Sequence, residues 1–208
     1  MLLSISILSS KSLSDIELQK DFGILTLMYH RFNEQKYPST NIKLDIFKKQ
    51  VEEITKNGLK VINFHEFKNI MDQKSFEEKS ILFTIDDGFL SFYENAWPIF
   101  KENKIPFILF VNTENVGSHG YMDWEQLKEI SKFEFVKIGN HSHSHEYLLN
   151  MKKNEIIDDI KMSIQILKKK LNIEPDIFSY PFGEYDVDLM KKEENFQSDF
   201  KYCESHPF

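Results

Sequence analysis

The chain has one cysteine, Cys203, among 208 residues, so it has no intramolecular disulfide and its cysteine usage gives no reading of compartment. Arginine is equally scarce. Arg31 is the only one, and lysine supplies the rest of the positive charge. Twenty-six basic residues face 33 acidic ones, for a formal net charge of -7. No basic field is present to hold nucleic acid. No apolar run is long enough to span a bilayer, and there is neither an internal repeat nor a low-complexity linker. What remains is an ordinary globular mixture, long enough to bury one substantial core. Its nineteen phenylalanines are read first as core fillers and second as walls of a sugar cleft.

Residues 1–22 form an N-terminal segment. Its opening, Met1 to Ser10, is apolar and serine-rich like the core of a secretory signal, although no basic residues precede it. A periplasmic or secreted location is favoured on that basis over a cytoplasmic one. Residues 23–208 are read as one domain. Short apolar runs at Ile24–Met28, Leu59–Asn63, Ile81–Ile85, Pro106–Val111, Phe135–Gly139 and Ile177–Tyr180 are predicted strands, and Phe200–Cys203 begins another. Helical spacing is predicted over Leu44–Asn57, His65–Met71, Phe89–Asn103 with a break near Pro98, Asp123–Ser131 with Asp123 as N-cap, Glu155–Leu171 and Val187–Glu194. Strands that alternate with helices and are apolar throughout imply a parallel α/β sheet buried on both faces. In such folds the working residues collect at the C-terminal ends of the strands.

Three polar sets follow predicted strands: Asp86 and Asp87; then Asn140, His141 and His145; then Tyr180, Pro181, Phe182 and Gly183. His30 follows the first strand on the same face. Taken singly, Asp-Asp-Gly is a turn or cap, His-Ser-His-Ser-His a solvated loop and Tyr-Pro-Phe-Gly a turn. Together they make a site. The four-residue spacing of His141 and His145 is predicted to put both on one side of a helical turn, with His143 off that spacing. Two histidines and one carboxylate suit zinc or another divalent first-row metal such as cobalt or nickel. The other carboxylate is then left to act as a base on an attacking water. This is the layout of a metal-assisted amide or ester hydrolase.

These residues carry a resemblance. Thr84-Ile85-Asp86-Asp87-Gly88-Phe89 resembles the first motif of the polysaccharide deacetylase family, the carbohydrate esterases that include chitooligosaccharide, peptidoglycan and poly-N-acetylglucosamine deacetylases. His141-Ser142-His143-Ser144-His145 is similar to the second motif and Phe178-Ser179-Tyr180-Pro181-Phe182-Gly183 to the third. Met28-Tyr29-His30-Arg31-Phe32, with Tyr37–Asn41 behind it, resembles the opening of one bacterial branch. The resemblance implies a distorted, incomplete (β/α) barrel. It implies Asp86 as catalytic base, Asp87, His141 and His145 as ligands of one divalent metal, zinc first, and the backbone N–H of Phe182 as an oxyanion contact. The reaction implied is removal of N-acetyl groups from an amino-sugar oligo- or polysaccharide. His30, Tyr180 and Pro181 are expected to contact substrate.

Two departures qualify the expectation. Ser179 stands where the third motif commonly carries an arginine, and only Arg31 is available to replace its charge. The family's late histidine has His206 as its only counterpart, in a chain whose last residue is Phe208. A domain lacking its last βα units is expected. Two alternatives therefore stay open: a remnant that binds metal or glycan without turnover, and a hydrolase of other linear or cyclic amides on the same fold.

Overall fold

The computed structural model describes residues 23–74 and 78–185, and the backbone of 202–204. The N-terminal segment 1–22, the predicted helix Val187–Glu194 and His206 lie outside the described residues.

The sheet is parallel at every junction. Its strands are β1 (Gly23–Tyr29), β4 (Lys60–Val61), β5 (Lys79–Ile85), β6 (Phe107–Val111), β7 (Val136–Asn140), β8 (Ile177–Ser179) and β9 (Tyr202–Glu204), in the order β1-β5-β6-β7-β8-β9. Strand β1 takes one edge of β5 along its full length, from Gly23 opposite Lys79 to Tyr29 opposite Ile85. The other edge is shared: β4 pairs at Ser80–Ile81 and β6 at Thr84–Ile85. The sheet curls into part of a barrel, with helices α1 (Leu44–Lys56), α2 (Phe64–Gln73), α3 (Trp97–Asn103), α4 (Trp124–Ile130) and α5 (Lys153–Leu171) between its strands. Among the described residues, no helix is long and apolar enough to cross a membrane.

Strand β5 shows why its run is apolar on both faces. Ile81, Phe83 and Ile85 enter the large cluster under the helices, while Leu82 enters a second cluster with Ile62, Ile108, Phe110 and Ile177. The period of two thus divides one strand between two cores. The large cluster is built of phenylalanine. The Phe100 ring meets those of Phe47, Phe83, Phe92 and Phe107 at centroid distances of 5.4, 5.5, 5.7 and 4.8 Å. Phe100→Ala is expected to cost about 3–5 kcal/mol, the range for a buried aromatic with little room to collapse. Urea unfolding of the variant against the parent chain measures it.

Several local predictions need correction. Beyond the first strand, the polar stretch 33–40 is flanked by a two-stranded parallel ribbon absent from the predicted elements, β2 (Arg31–Phe32) with β3 (Asn41–Ile42). The strand read over Leu59–Asn63 shortens to β4, because Asn63 is the N-cap of α2 and exchanges capping-box hydrogen bonds with Glu66. Asp123, by contrast, is the N-cap of α4 as predicted, completed by Gln126. The irregularity near Pro98 falls before it. Phe92–Ala96 is a π-turn in which the Trp97 N–H reaches back to the Phe92 carbonyl, and α3 then starts with proline in its first turn. Proline's missing N–H is tolerated there and not deeper in a helix.

Candidate functional site

Parallel pairing brings the strand ends to one rim of the sheet. There β1, β5, β7 and β8 hand over to His30, Asp86, His141 and Tyr180. Alternation along a strand would point Asp86 and Asp87 to opposite sides. Instead Asp87 has φ 69° and Gly88 φ 77°, and both carboxylates line the same cavity. The Asp86 N–H donates to the Tyr29 carbonyl at 2.8 Å, tying β5's end to β1. Gly139 sits one layer below His141. A Cβ there would lie 2.5 Å from two ring carbons of Phe110, so only glycine lets β7 pack this close.

Three donors converge. Asp87 Oδ1 lies 3.0 Å from His145 Nε2 and 3.5 Å from His141 Nε2. One ligand atom from each of the three residues falls within 4.8 Å of the others. Asp86 is set back, with Oδ2 4.0 Å from His141 Nε2. Asn112, at the end of β6, donates its Nδ2 to Asp87 Oδ1 at 3.1 Å. His141 Nδ1 is 2.8 Å from the Ser179 carbonyl. A carbonyl only accepts, so Nδ1 carries the proton and Nε2 turns its lone pair towards Asp87. Ligands at about 2.0–2.2 Å from a tetrahedral ion stand about 3.3–3.6 Å apart. The Asp87 spacings fall at or just below that range, so the donor set fits a first-row divalent cation.

The electrostatics match. Burial opposes ionisation of Asp87, but the hydrogen bond with His145 and the charges of His141, His145 and His30 outweigh it, and hold the carboxyl at about 2. Burial lowers His141 to about 4, against the pull of Asp87, which favours its charged form. Burial also lowers His30, again against Asp87, with His145 and Arg31 pushing it further down. Both imidazoles are therefore neutral at pH 7. For His141 the unfolded chain binds its proton near 6.5 and the folded chain only near 4. The unfolded state holds more protons between those values, so stability falls as pH drops through that window and the whole loss is present below it. The shift corresponds to about 3 kcal/mol. Urea titrations of the cation-free protein at pH 7 and pH 4 are expected to show this loss, and His141→Gln to flatten the difference.

The histidine loop corrects one prediction. Residues 141–147 are not helical, and Ser142 and His145 have φ of 65° and 57°. The two rings meet because the loop is pinned from outside. The His141 N–H donates to the Val111 carbonyl, and the Thr113 and Glu114 N–H groups donate to the Ser142 and His143 carbonyls. His143 faces away from the triad, its Nδ1 2.8 Å from Thr113 Oγ1.

The cavity above the triad has a volume of about 530 Å³. His30, Arg31, Tyr180, Phe182 and Gly183 line it together with Asp86, Asp87, His141 and His145. Pro181 is buried in the short 3₁₀ turn Pro181–Gly183 and is not among the lining residues. Phe182 sits in that turn at φ 61°. Its ring lies flat against Tyr147, with centroids 3.8 Å apart, and edge-on to His145 at 4.8 Å. Arg31 pairs with Glu34 at 2.6 Å, its guanidinium held between the Phe89 and Tyr37 rings at 3.4 and 4.0 Å. Trp124 packs on the core and under Lys170 rather than in the cavity. Sequence reading missed Asn112 and Asp159, whose carboxylate accepts the N–H groups of His143 and Ser144. The signal for Asp159 was an acid on the apolar face of α5.

A family model described as polysaccharide deacetylase matches residues 73–200, more than half of the chain. The Bacillus subtilis (strain 168) protein YxkH is 24% identical over 180 residues, 86% of this chain and 63% of that one. A poly-beta-1,6-N-acetyl-D-glucosamine N-deacetylase of Staphylococcus aureus (strain MSSA476) is 24% identical over 192 residues, 79% of this chain and 66% of its own. The chain thus spans less than two thirds of the length of either curated relative. The structure of IcaB from Ammonifex degensii superposes with a TM-score of 0.76 at 26% identity, over 85% of this chain and 81% of that one. The Streptococcus pyogenes deacetylase PplD in complex with acetate has the same fold. Its TM-score is 0.76 at 22% identity, over 86% of this chain and 81% of its own.

Proposed function

Because the chain belongs to the polysaccharide deacetylase family, we propose that it hydrolyses N-acetyl groups from an amino-sugar oligo- or polysaccharide, using one divalent cation held by Asp87, His141 and His145. The observation that carries this is the triad's convergence beneath an open cavity, with a second carboxylate, Asp86, set beside it and outside the ligand set. Zinc is the first cation to try, on the strength of two imidazoles and one carboxylate. Bound there, it would acidify water and polarise the acetyl carbonyl. Asp86 accepts the proton of the attacking water. The Phe182 N–H, fixed by its left-handed turn, donates to the oxygen that gains charge. His30, kept neutral by burial, and Tyr180 hold the acetamido group and its sugar ring. The products are acetate and a free amine.

A poly-N-acetylglucosamine is the favoured substrate, because a relative matched over 79% of this chain is named for one. Acetate release from β-1,6-linked and chito-oligomers of N-acetylglucosamine tests the reading, with small imides as a contrast. Zinc-loaded protein is expected to release acetate from at least one oligomer, a chelator to stop it, and added zinc to restore it. Zinc binding with no acetate from any oligomer would leave a binding protein instead.

A further inference from the structure

Helix α5 grips the histidine loop through a face that is otherwise core. The buried residues of α5 are Ile156, Asp159, Ile160, Ser163 and Leu167. Three are apolar. The other two are four residues apart and so lie one above the other on the helix; Asp159 ends on the loop and Ser163 on Asn140, the last residue of β7 before it. Asp159 Oδ1 accepts the His143 N–H at 2.7 Å and Oδ2 accepts the Ser144 N–H at 3.0 Å. Ser163 Oγ accepts from Asn140 Nδ2 at 2.6 Å, and Asn140 Oδ1 in turn accepts the Ser142 N–H at 2.8 Å. The His145 N–H closes on Ser142 Oγ at 3.0 Å. Four successive amides, 142 to 145, are thus each held by a side chain, and none by a helical carbonyl.

This matters because the loop is not a shape it would adopt freely. Ser142 and His145 both lie in the left-handed region, where a non-glycine residue costs about 1–3 kcal/mol and persists only when its surroundings over-determine it. A carboxylate is the group best suited to the task. It offers two acceptors on one rigid fork, and its charge strengthens both bonds. Burying it is costly, and here both of its oxygens take backbone amides.

We propose that Asp159 is a positioning residue for the cation site. It fixes the amides of His143 and Ser144 so that His141 and His145 already converge on Asp87 before a cation arrives. The proposal rests on the reading that the triad holds a divalent cation.

The test uses the full chain, stripped of metal. Zinc affinity is measured by competition with a chromophoric chelator for the parent chain, Asp159→Asn, Asp159→Ala and Leu167→Ala. Leu167 lies on the same helix, fully buried in the large core cluster and away from the loop. Loss of Leu167 lowers thermal stability and, well below the midpoint, is expected to leave zinc affinity unchanged. The Asp159 variants are expected to bind zinc about 10- to 100-fold more weakly, the range for groups that orient metal ligands. Amide exchange on the cation-free parent chain gives an independent measurement. The His143 and Ser144 amides should be protected. Asp159 variants with parent-like zinc affinity, or a loss no larger than that of Leu167→Ala, would overturn the proposal. So would rapid exchange of those two amides in the parent chain, which decides the matter even if no Asp159 variant folds. A parent chain that takes up no zinc overturns the cation reading itself, whereas parent binding with unchanged variants overturns only this inference.

Discussion

Asp86→Asn is expected to lower acetate release by about 10²- to 10⁴-fold, the usual worth of a positioned general base, while zinc affinity stays at the parent value. The amide has the carboxylate's shape but cannot take a proton at neutral pH. Its position is secure, since the Asp86 N–H holds the Tyr29 carbonyl and the side chain is buried. Separation of the two effects follows from distance. Asp86 stands 4.0 Å from His141 Nε2, whereas Asp87 stands 3.5 Å from the same atom and 3.0 Å from His145 Nε2. Acetate release and calorimetric zinc binding on the same preparation check it. Turnover that survives the change would remove Asp86 from the role of base. Loss of zinc would make it a ligand instead.

Asp87→Asn should show the opposite pattern. Asp87 contributes the anionic charge of the triad, and its loss is expected to weaken zinc by more than about 100-fold, beyond the effect of groups that only orient ligands. Activity should fall with occupancy, so a high zinc concentration should restore part of it in Asp87→Asn and none in Asp86→Asn. A second consequence concerns the imidazoles. The Asp87 charge pulls the pKa of both His141 and His30 upward against burial. Without it both should titrate at still lower pH, which nuclear magnetic resonance of the ring protons can follow in the cation-free variant. Equal zinc affinity in the variant and the parent chain would refute the assignment of Asp87 as ligand.

The parts of this site that sequence makes legible are those governed by strand geometry. An apolar run that ends on Asp86 and Asp87, another that ends before His141, and a third before Tyr180 need only a parallel sheet to meet. The histidine loop is different. A spacing of four fits a helical turn, but it fits a pinned loop equally well. The bonds that decide between them come from Val111, Thr113, Glu114 and Asp159, residues far from the loop in sequence or on other elements. Asp159 itself was visible as an acid within the stripe of α5. Apolar spacing along α5 runs through Ile164, which is only partly buried, whereas the structure buries Ser163, so the polar pair on that face carries no apolar signal. The ribbon of β2 and β3 was hidden for another reason: two-residue strands carry no period to detect.

The full-length pairing of β1 with β5 sets an order of events in folding. Gly23 must find Lys79, with α1, β4 and α2 lying between them in the chain, and closing so long a loop is among the slower steps open to a domain. During synthesis β1 emerges well before its partner exists, and it has to wait as an unpaired apolar segment. The same docking carries His30 to the cavity and the Tyr29 carbonyl to the Asp86 N–H. The longest-range pairing described in the fold thus brings one wall of the pocket into place, so substrate binding should appear no earlier than that slow closure.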